Sequence, residues 1–387
     1  MSQKKIKIAV VTGTRAEYGL LKMTLKKILI SKKLELSLIV TGTHLSPSFG
    51  STYKEIEKDG FFIDYKVEML VSSDTNSSIA KSMGLAIISF AQIFEKDRPD
   101  VLLFLGDRFE ILAASIAAMS FNICLAHIAG GEITEGAIDE QIRHSLTKLS
   151  HIHFPCSDIY ENNIRKLNEE SWRINNVGHP CLELIKSITL TNKKTLCKKY
   201  NIDLTKKIFL ITLHPTTLNS IEIEKNQAYS FFSTIDKIED VNLIVTYPNS
   251  DTNGQIIIDE IKKIKNKNIR IVPNLGSHDY LSMMKISDLV IGNSSSGLVE
   301  GPYFKIPIIN YGNRQDGRIK ASNVISCEAN SSDLNIAIHR ALNDKKFIKS
   351  LTNTKSIYGI GATSSKIVKV LEGLDINSLK LRIKKFI

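Results

Sequence analysis

Short runs of β-branched and aliphatic residues recur along the chain, each ending in small or turn-forming residues. Ile6 to Val11 runs into Thr12-Gly13-Thr14, and apolar residues then follow at helical spacing through Leu20, Leu21, Leu25 and Ile28. This predicts strand, turn, helix. The pattern returns at Leu36 to Val40 before Thr41-Gly42-Thr43, at Val101 to Leu105 with a helix over Phe109 to Met119, and at Ile123 to Ile128 before Gly130-Gly131. A second series starts after Gly178-His179-Pro180, with strands at Ile208 to Leu213, Leu243 to Tyr247, Ile269 to Val272, Leu289 to Ile291 and Ile306 to Tyr311. Near-continuous apolar strands alternating with helices predict parallel sheets covered on both faces. Two such series predict two doubly wound α/β domains. The last segment, Ser365 to Ile387, starts as a helix and is expected to pack on a domain.

The length of 387 residues agrees with two domains at about 150 residues each. With 43% hydrophobic and 24% charged residues, the composition excludes a disordered or collagen-like chain. The longest apolar stretch, Ile111 to Phe121, is eleven residues, against roughly 20 for a membrane span, so no membrane partner is expected. The apolar run after the basic Met1 to Lys7 is too short for a signal-peptide core. Five scattered cysteines without a CxxC pair point to neither a disulfide framework nor a zinc site. A cytoplasmic setting is expected. The net charge of +11 admits an anionic partner. The lysine clusters at Lys262 to Arg270 and Lys380 to Lys385 lack interleaved aromatic platforms, so they are expected to be solvated faces and not a nucleic-acid surface.

Neither GxGxxG nor GxxxxGK[ST] is present, which argues against dinucleotide chemistry and ATP hydrolysis. Polar residues instead gather where strands end, and in open α/β sheets ligands bind outside the carboxyl ends of the strands. The expected site is therefore the cleft between the two halves. Ile291-Gly292-Asn293-Ser294-Ser295-Ser296-Gly297 can cradle a pyrophosphate on backbone N–H groups; an ordinary serine cap is the alternative. Glu300, one turn on, can accept from a ribose diol. Asp107, Glu132, Asp139 and Glu140 sit beside Arg108, Arg143 and His144 on neighbouring segments. Crowded carboxylates can supply an acid and a base at one pH, or can simply form structural ion pairs with Arg143 and Arg108. His214 at a strand end can donate to a phosphate oxygen or be structural.

Six segments together resemble the UDP-N-acetylglucosamine 2-epimerase family: Thr12 to Gly19 (TGTRAEYG), Gly106 to Glu110 (GDRFE), His127 to Glu132 (HIAGGE), Ile138 to His144 (IDEQIRH), Ile291 to Gly297, and Asn310 to Arg318. The first two look like its hydrolysing branch, which feeds sialic and legionaminic acid synthesis. The resemblance implies a GT-B fold with two Rossmann-like domains facing across a cleft. Residues 1–176 would form the first, with a C-terminal helix over 366–387 packing back on it, and 177–365 the second, UDP-binding one.

The implied reaction is anti elimination of UDP from UDP-N-acetylglucosamine to a 2-acetamidoglycal, then water addition to give N-acetylmannosamine. The same chemistry on UDP-N,N'-diacetylbacillosamine is the alternative. By motif position Asp107 and Asp139 would be the acid/base pair, and the proton-transfer Glu that relatives carry at position 129 would be absent or replaced by Glu132. Arg15, His214 and Arg143 would hold the departing diphosphate or shape the site, Ser294 and Ser295 the β-phosphate, Glu300 the ribose and Arg314 the nucleotide end. Arg108 and Asn249 would complete the substrate contacts. No metal or organic cofactor is implied, and a homodimer or homotetramer is. Ala129 stands where many relatives carry Glu, and Ile360 where Asp is usual. A GT-B glycosyltransferase and a non-catalytic nucleotide-sugar sensor are the rival readings.

Overall fold

The computed structural model describes residues 4–71, 73, 75–134, 138–216, 218–248, 253–359, 361–385. The chain divides into two compact units. The first comprises residues 1–132, 139–184 and 358–387, and the second 133–138 and 185–357.

The first unit holds six parallel strands, β1 (Ile6–Thr12), β2 (Leu34–Thr41), β3 (Tyr65–Val67), β4 (Val101–Leu105), β5 (Cys124–Ile128) and β6 (Ile152–Phe154), in the order β3-β2-β1-β4-β5-β6. The interior strands β1 and β4 are apolar on both faces from Ile8 to Val11 and from Val101 to Leu105, because both faces are covered by helices. One face packs Ala9, Val11, Leu102 and Phe104 against Phe90, Phe94, Ile111 and Ala114. These side chains come from α3 (Asn76–Lys96) and α4 (Phe109–Ser120), which cross over between successive strands. α3 is long and apolar enough to cross a membrane by length and composition. Here it is the crossover from β3 to β4, and its buried stripe is Ser78, Ser82, Ala86, Phe90 and Phe94. Two more helices lie on the chain before α3, α1 (Arg15–Ile30) and α2 (Tyr53–Lys58), and α5 (Asp139–Leu149) follows β5.

The second unit repeats the plan with β7 (Lys207–Thr212), β8 (Val241–Thr246), β9 (Ile269–Ile271), β10 (Leu289–Gly292), β11 (Ile308–Tyr311) and β12 (Val324–Cys327), in the order β12-β11-β10-β7-β8-β9, all parallel. Phe209, Ile211, Leu243 and Val245 fill one face with Phe231 and Ile257, while Ile208, Leu210 and Ile244 fill the other with Met283 and Met284.

The C-terminal segment differs from the single helix expected over 366–387. A helix over Thr363–Glu372 stops at Gly373, and a second, short one follows at Leu379–Arg382. The first lies on α1, where the Ser31 hydroxyl donates to Glu372 at 2.6 Å. The second is held by Arg173, which is fully buried and donates to the carbonyls of Lys380, Leu381 and Ile383. Lys384 also departs from the expected solvated face. Its Nζ donates to the carbonyls of Lys148 and Ser150 at 2.6 Å each and pairs with Glu169 at 2.9 Å.

Candidate functional site

Each sheet reverses its strand order once, between β1 and β4 and between β7 and β10. Ligand sites of open α/β sheets form outside the carboxyl ends of the strands at such a point. In the first unit those ends carry Gly13 to Arg15 and Gly106 to Arg108, and the hub is Arg143. The inward stripe of α5 is Ile142, Arg143, Leu146 and Thr147, which leaves Arg143 only 1% exposed. Its Nη2 pairs with Asp107 Oδ2, while Nη1 donates to Glu140 Oε2 at 2.5 Å and to the Glu132 carbonyl at 2.9 Å. Asp139 opens the same helix beside Glu140. The acidic cluster and the ion pairs weighed against it are thus one set of residues, carried by segments after β4 and β5 and by α5.

Arg108 stands at the N-cap of α4 and donates from Nε to Glu110 at 3.2 Å. Arg15 instead pairs with Glu55 of α2 at 2.9 Å, on the surface. His127, inside β5, bonds through Nε2 to the Gly106 carbonyl at 2.7 Å and so ties β5 to the turn that bears Asp107. Burial pushes the ring down to about 3, which keeps it a neutral donor there. Ala129 follows at φ +67°, buried, with its N–H on the Phe154 carbonyl at 3.1 Å. A left-handed alanine is strained by about 1–2 kcal/mol, and such strain collects at functional sites. Among the described residues, ligating atoms of Glu132, Cys156 and His179 lie within 4.8 Å of one another, all buried. Nδ1 of His179 accepts from the Cys181 amide at 3.2 Å, which places the neutral ring's proton on Nε2. While that bond stands, the ring offers a metal no free lone pair.

In the second unit the hub is Asn293. Its Oδ1 accepts from the His214 N–H at 2.7 Å, and its Nδ2 donates to the His214 carbonyl at 2.8 Å. The Asn293 carbonyl accepts from Arg314 Nη1 at 3.3 Å and Gln315 Nε2 at 2.8 Å, and Arg314 Nε donates to the Pro215 carbonyl at 3.1 Å. His214 and Arg314 are thereby fixed to the end of β10. Gly292 adopts φ +147°, and a β-carbon there would fall 1.8 Å from the Thr212 carbonyl, so only glycine lets β10 close on β7. Ser294 caps the helix Ser295–Val299 by accepting from the Ser296 N–H at 3.4 Å. Glu300 ends that helix with Oε2 buried and without a hydrogen-bond partner among the described residues, and burial pushes its carboxyl up to about 7. Asn249 lies outside the described residues.

A sequence profile of the UDP-N-acetylglucosamine 2-epimerase family matches residues 26–372. The chain belongs to that family. It is 41% identical to a GDP/UDP-N,N'-diacetylbacillosamine 2-epimerase (hydrolyzing) of Campylobacter jejuni, covering 97% of each chain. It is 36% identical to the UDP-N,N'-diacetylbacillosamine 2-epimerase (hydrolyzing) of Legionella pneumophila, covering 96% of this chain and 97% of that one. The crystal structure of UDP-GlcNAc 2-epimerase from Neisseria meningitidis bound to UDP-GlcNAc superposes with a TM-score of 0.81 at 20% identity, over 95% of this chain and 99% of that one. The fold of this 2-epimerase family member is GT-B, with a Rossmann-like sheet in each unit.

Sequence reading of this family member did not single out Asn293, whose two amide atoms act on a residue 79 positions away. Glu17, one of the polar residues at strand ends, and Glu110, within GDRFE, were given no role from sequence; both are buried, in the first turns of α1 and α4. One signal was present. Thr14 followed three residues later by Glu17 is a capping box, and the structure shows both of its bonds.

Proposed function

We propose that this chain is a hydrolysing UDP-sugar 2-epimerase whose substrate is UDP-N,N'-diacetylbacillosamine. The relatives at 41% and 36% identity carry that activity in their names. A UDP-N-acetylglucosamine 2-epimerase of Neisseria meningitidis serogroup B, at 30% identity over 88% of this chain, supports UDP-N-acetylglucosamine as the second reading. The observation that carries the chemistry is Arg143, one buried guanidinium gathering Asp107, Glu140 and the carbonyl of Glu132.

In the proposed reaction a carboxylate takes the proton from sugar C2. The C1–O bond breaks on the opposite face, and its electron pair leaves with UDP. Water then adds its hydroxyl at C1, and a proton returns to C2 with inverted configuration, releasing a free manno-configured sugar. Asp107 and Asp139 carry the two transfers at C2, with Glu132 as the third carboxylate. Arg15, Arg108 and Arg143 meet the developing charge of UDP as preorganised donors. Ser294 and Ser295 take the β-phosphate, Glu300 the ribose hydroxyls, and His214, Arg314 and Asn249 the rest of the nucleotide. The test is turnover of each UDP-sugar by purified protein, with products read by NMR. UDP release with a manno-configured sugar supports the reading, and tight UDP-sugar binding without release favours a sensor or a transferase.

A further inference from the structure

Beneath Arg108 lie two buried carboxyl groups that the proposed chemistry leaves unused. Glu110 is fully buried in the first turn of α4, and its Oε2 and Oε1 accept from Arg108 Nε at 3.2 Å and Nη2 at 3.5 Å. The backbone of Gly42 bounds it on one side. Gly42, at φ +59°, packs so closely that a β-carbon there would come within 2.9 Å of Glu110 Oε1. Glu17, 6% exposed in the first turn of α1, turns Oε2 to the N–H groups of Gly13 at 2.8 Å and Thr14 at 3.2 Å. Its Oε1 is buried, has no hydrogen-bond partner among the described residues, and lies 4.0 Å from Arg108 Nε.

Among the described residues, the Arg108 guanidinium thus faces these two buried carboxyl groups. With both ionised the local charge is −1, next to a side chain whose proposed task is to meet a diphosphate. With one protonated the charge is zero. An ionised Oε1 with no donor is costly in a buried place, whereas both Glu110 oxygens are hydrogen-bonded to the Arg108 guanidinium.

We propose that Glu110 and Glu17 are positioning residues for Arg108: Glu110 fixes and balances the guanidinium, while Glu17 stays uncharged so that the cluster does not repel the substrate's diphosphate. The proposal rests on the reading of Arg108 as a diphosphate ligand. Burial, then the Glu110 charge, push the Glu17 carboxyl up to about 8, against the opposing pull of Arg108 and of the Gly13 and Thr14 amides. The charged groups facing Glu17 are those of Glu110 and Arg108 on the α4 side. Arg15, on its own helix, is turned to Glu55, and His44 is neutral, pushed down by burial to about 4 and bonded to Thr12 and Thr52.

The test is the dissociation constant of UDP across neutral to alkaline pH, measured by calorimetry for the wild-type protein, Glu17→Gln and Arg108→Gln. Gln is the shape of the uncharged Glu and can still accept from Gly13 and Thr14. Wild-type affinity is expected to fall above about pH 8 by up to about tenfold per pH unit, with one proton taken up on binding. Glu17→Gln is expected to flatten that fall, and UDP's own titration cancels in the comparison. The same steep profile in Glu17→Gln overturns the proposal. If that variant does not fold, wild-type heats in two buffers of different ionisation enthalpy decide alone, and absence of proton uptake overturns it. Unchanged UDP affinity in Arg108→Gln would instead sink the reading of Arg108 as a ligand, which is a separate failure.

Discussion

Arg143 reaches back 36 positions along the chain to hold the carboxylate of Asp107, and the same guanidinium takes the Glu132 carbonyl and the Glu140 carboxylate. A planar cation with five donors in a fixed fork can serve three acceptors at once, which an ammonium cannot do in that geometry. The proposed proton-transfer group therefore owes its place to a residue that needs no contact with sugar C2.

Replacing Arg143 separates these roles. Arg143→Ala leaves Asp107 and Glu140 without their buried partner, and loss of one member of such a pair costs about 3–5 kcal/mol. Arg143→Lys is expected to fold but to lose kcat by about 100-fold or more. Thermal melts and steady-state kinetics of the two variants check both statements. Wild-type kcat in Arg143→Lys would contradict the positioning role.

The carboxylates themselves are tested by Asp107→Asn and Asp139→Asn. Each should lower kcat by about 10²–10⁴-fold while UDP still binds. Equilibrium dialysis with UDP beside a turnover assay shows whether binding and chemistry part in this way. Equal loss of both would move these residues from catalysis to binding.

The interior strands of both sheets were legible because each carries a largely apolar run, as in β4, Val101–Leu105. The edge strands β3, β6 and β12 were not, since Lys66, His153 and Ser326 interrupt runs of only three or four residues. α3 escaped for another reason. Its buried face begins with Ser78 and Ser82, so the apolar spacing shows only from Ala86 onward. At the site, the motifs pointed to Asp107, Glu132 and Arg143, and their meeting at one guanidinium needed coordinates. Arg15 faces Glu55, a pairing with α2 that no local pattern announces. Lys384 read as solvated because its three carbonyl partners belong to residues more than 230 positions earlier.

Glu300 carries a prediction about pH. Its folded carboxyl is raised by burial from 4.5 to about 7, so between those values the folded chain binds a proton that the unfolded chain releases. Stability from this group is full below the unfolded value and is lost as pH rises through about 7. Glu300→Gln should show a shallower decline of melting temperature over that range than the wild type. Parallel curves for the two proteins would show that Glu300 does not titrate there.

Gly292 is predicted to accept no side chain. In Gly292→Ala the β-carbon meets the Thr212 carbonyl, and φ +147° disfavours any L-residue. The expected result is a lowered melting temperature together with weakened UDP binding, since Asn293 and Ser294 follow directly. Unaltered melting and binding would show that β10 can shift from β7 at no cost.

The central claim is that the acidic cluster around Arg143 removes and returns the proton at C2 of a UDP-linked 2-acetamido sugar. The most direct measurement is a proton NMR time course in deuterated water, with UDP-N,N'-diacetylbacillosamine and UDP-N-acetylglucosamine in separate tubes. The expected result is UDP release, a manno-configured free sugar carrying deuterium at C2, and faster turnover of the diacetamido substrate. A free sugar that keeps its original C2 proton and configuration, or binding of both substrates without release, would contradict it.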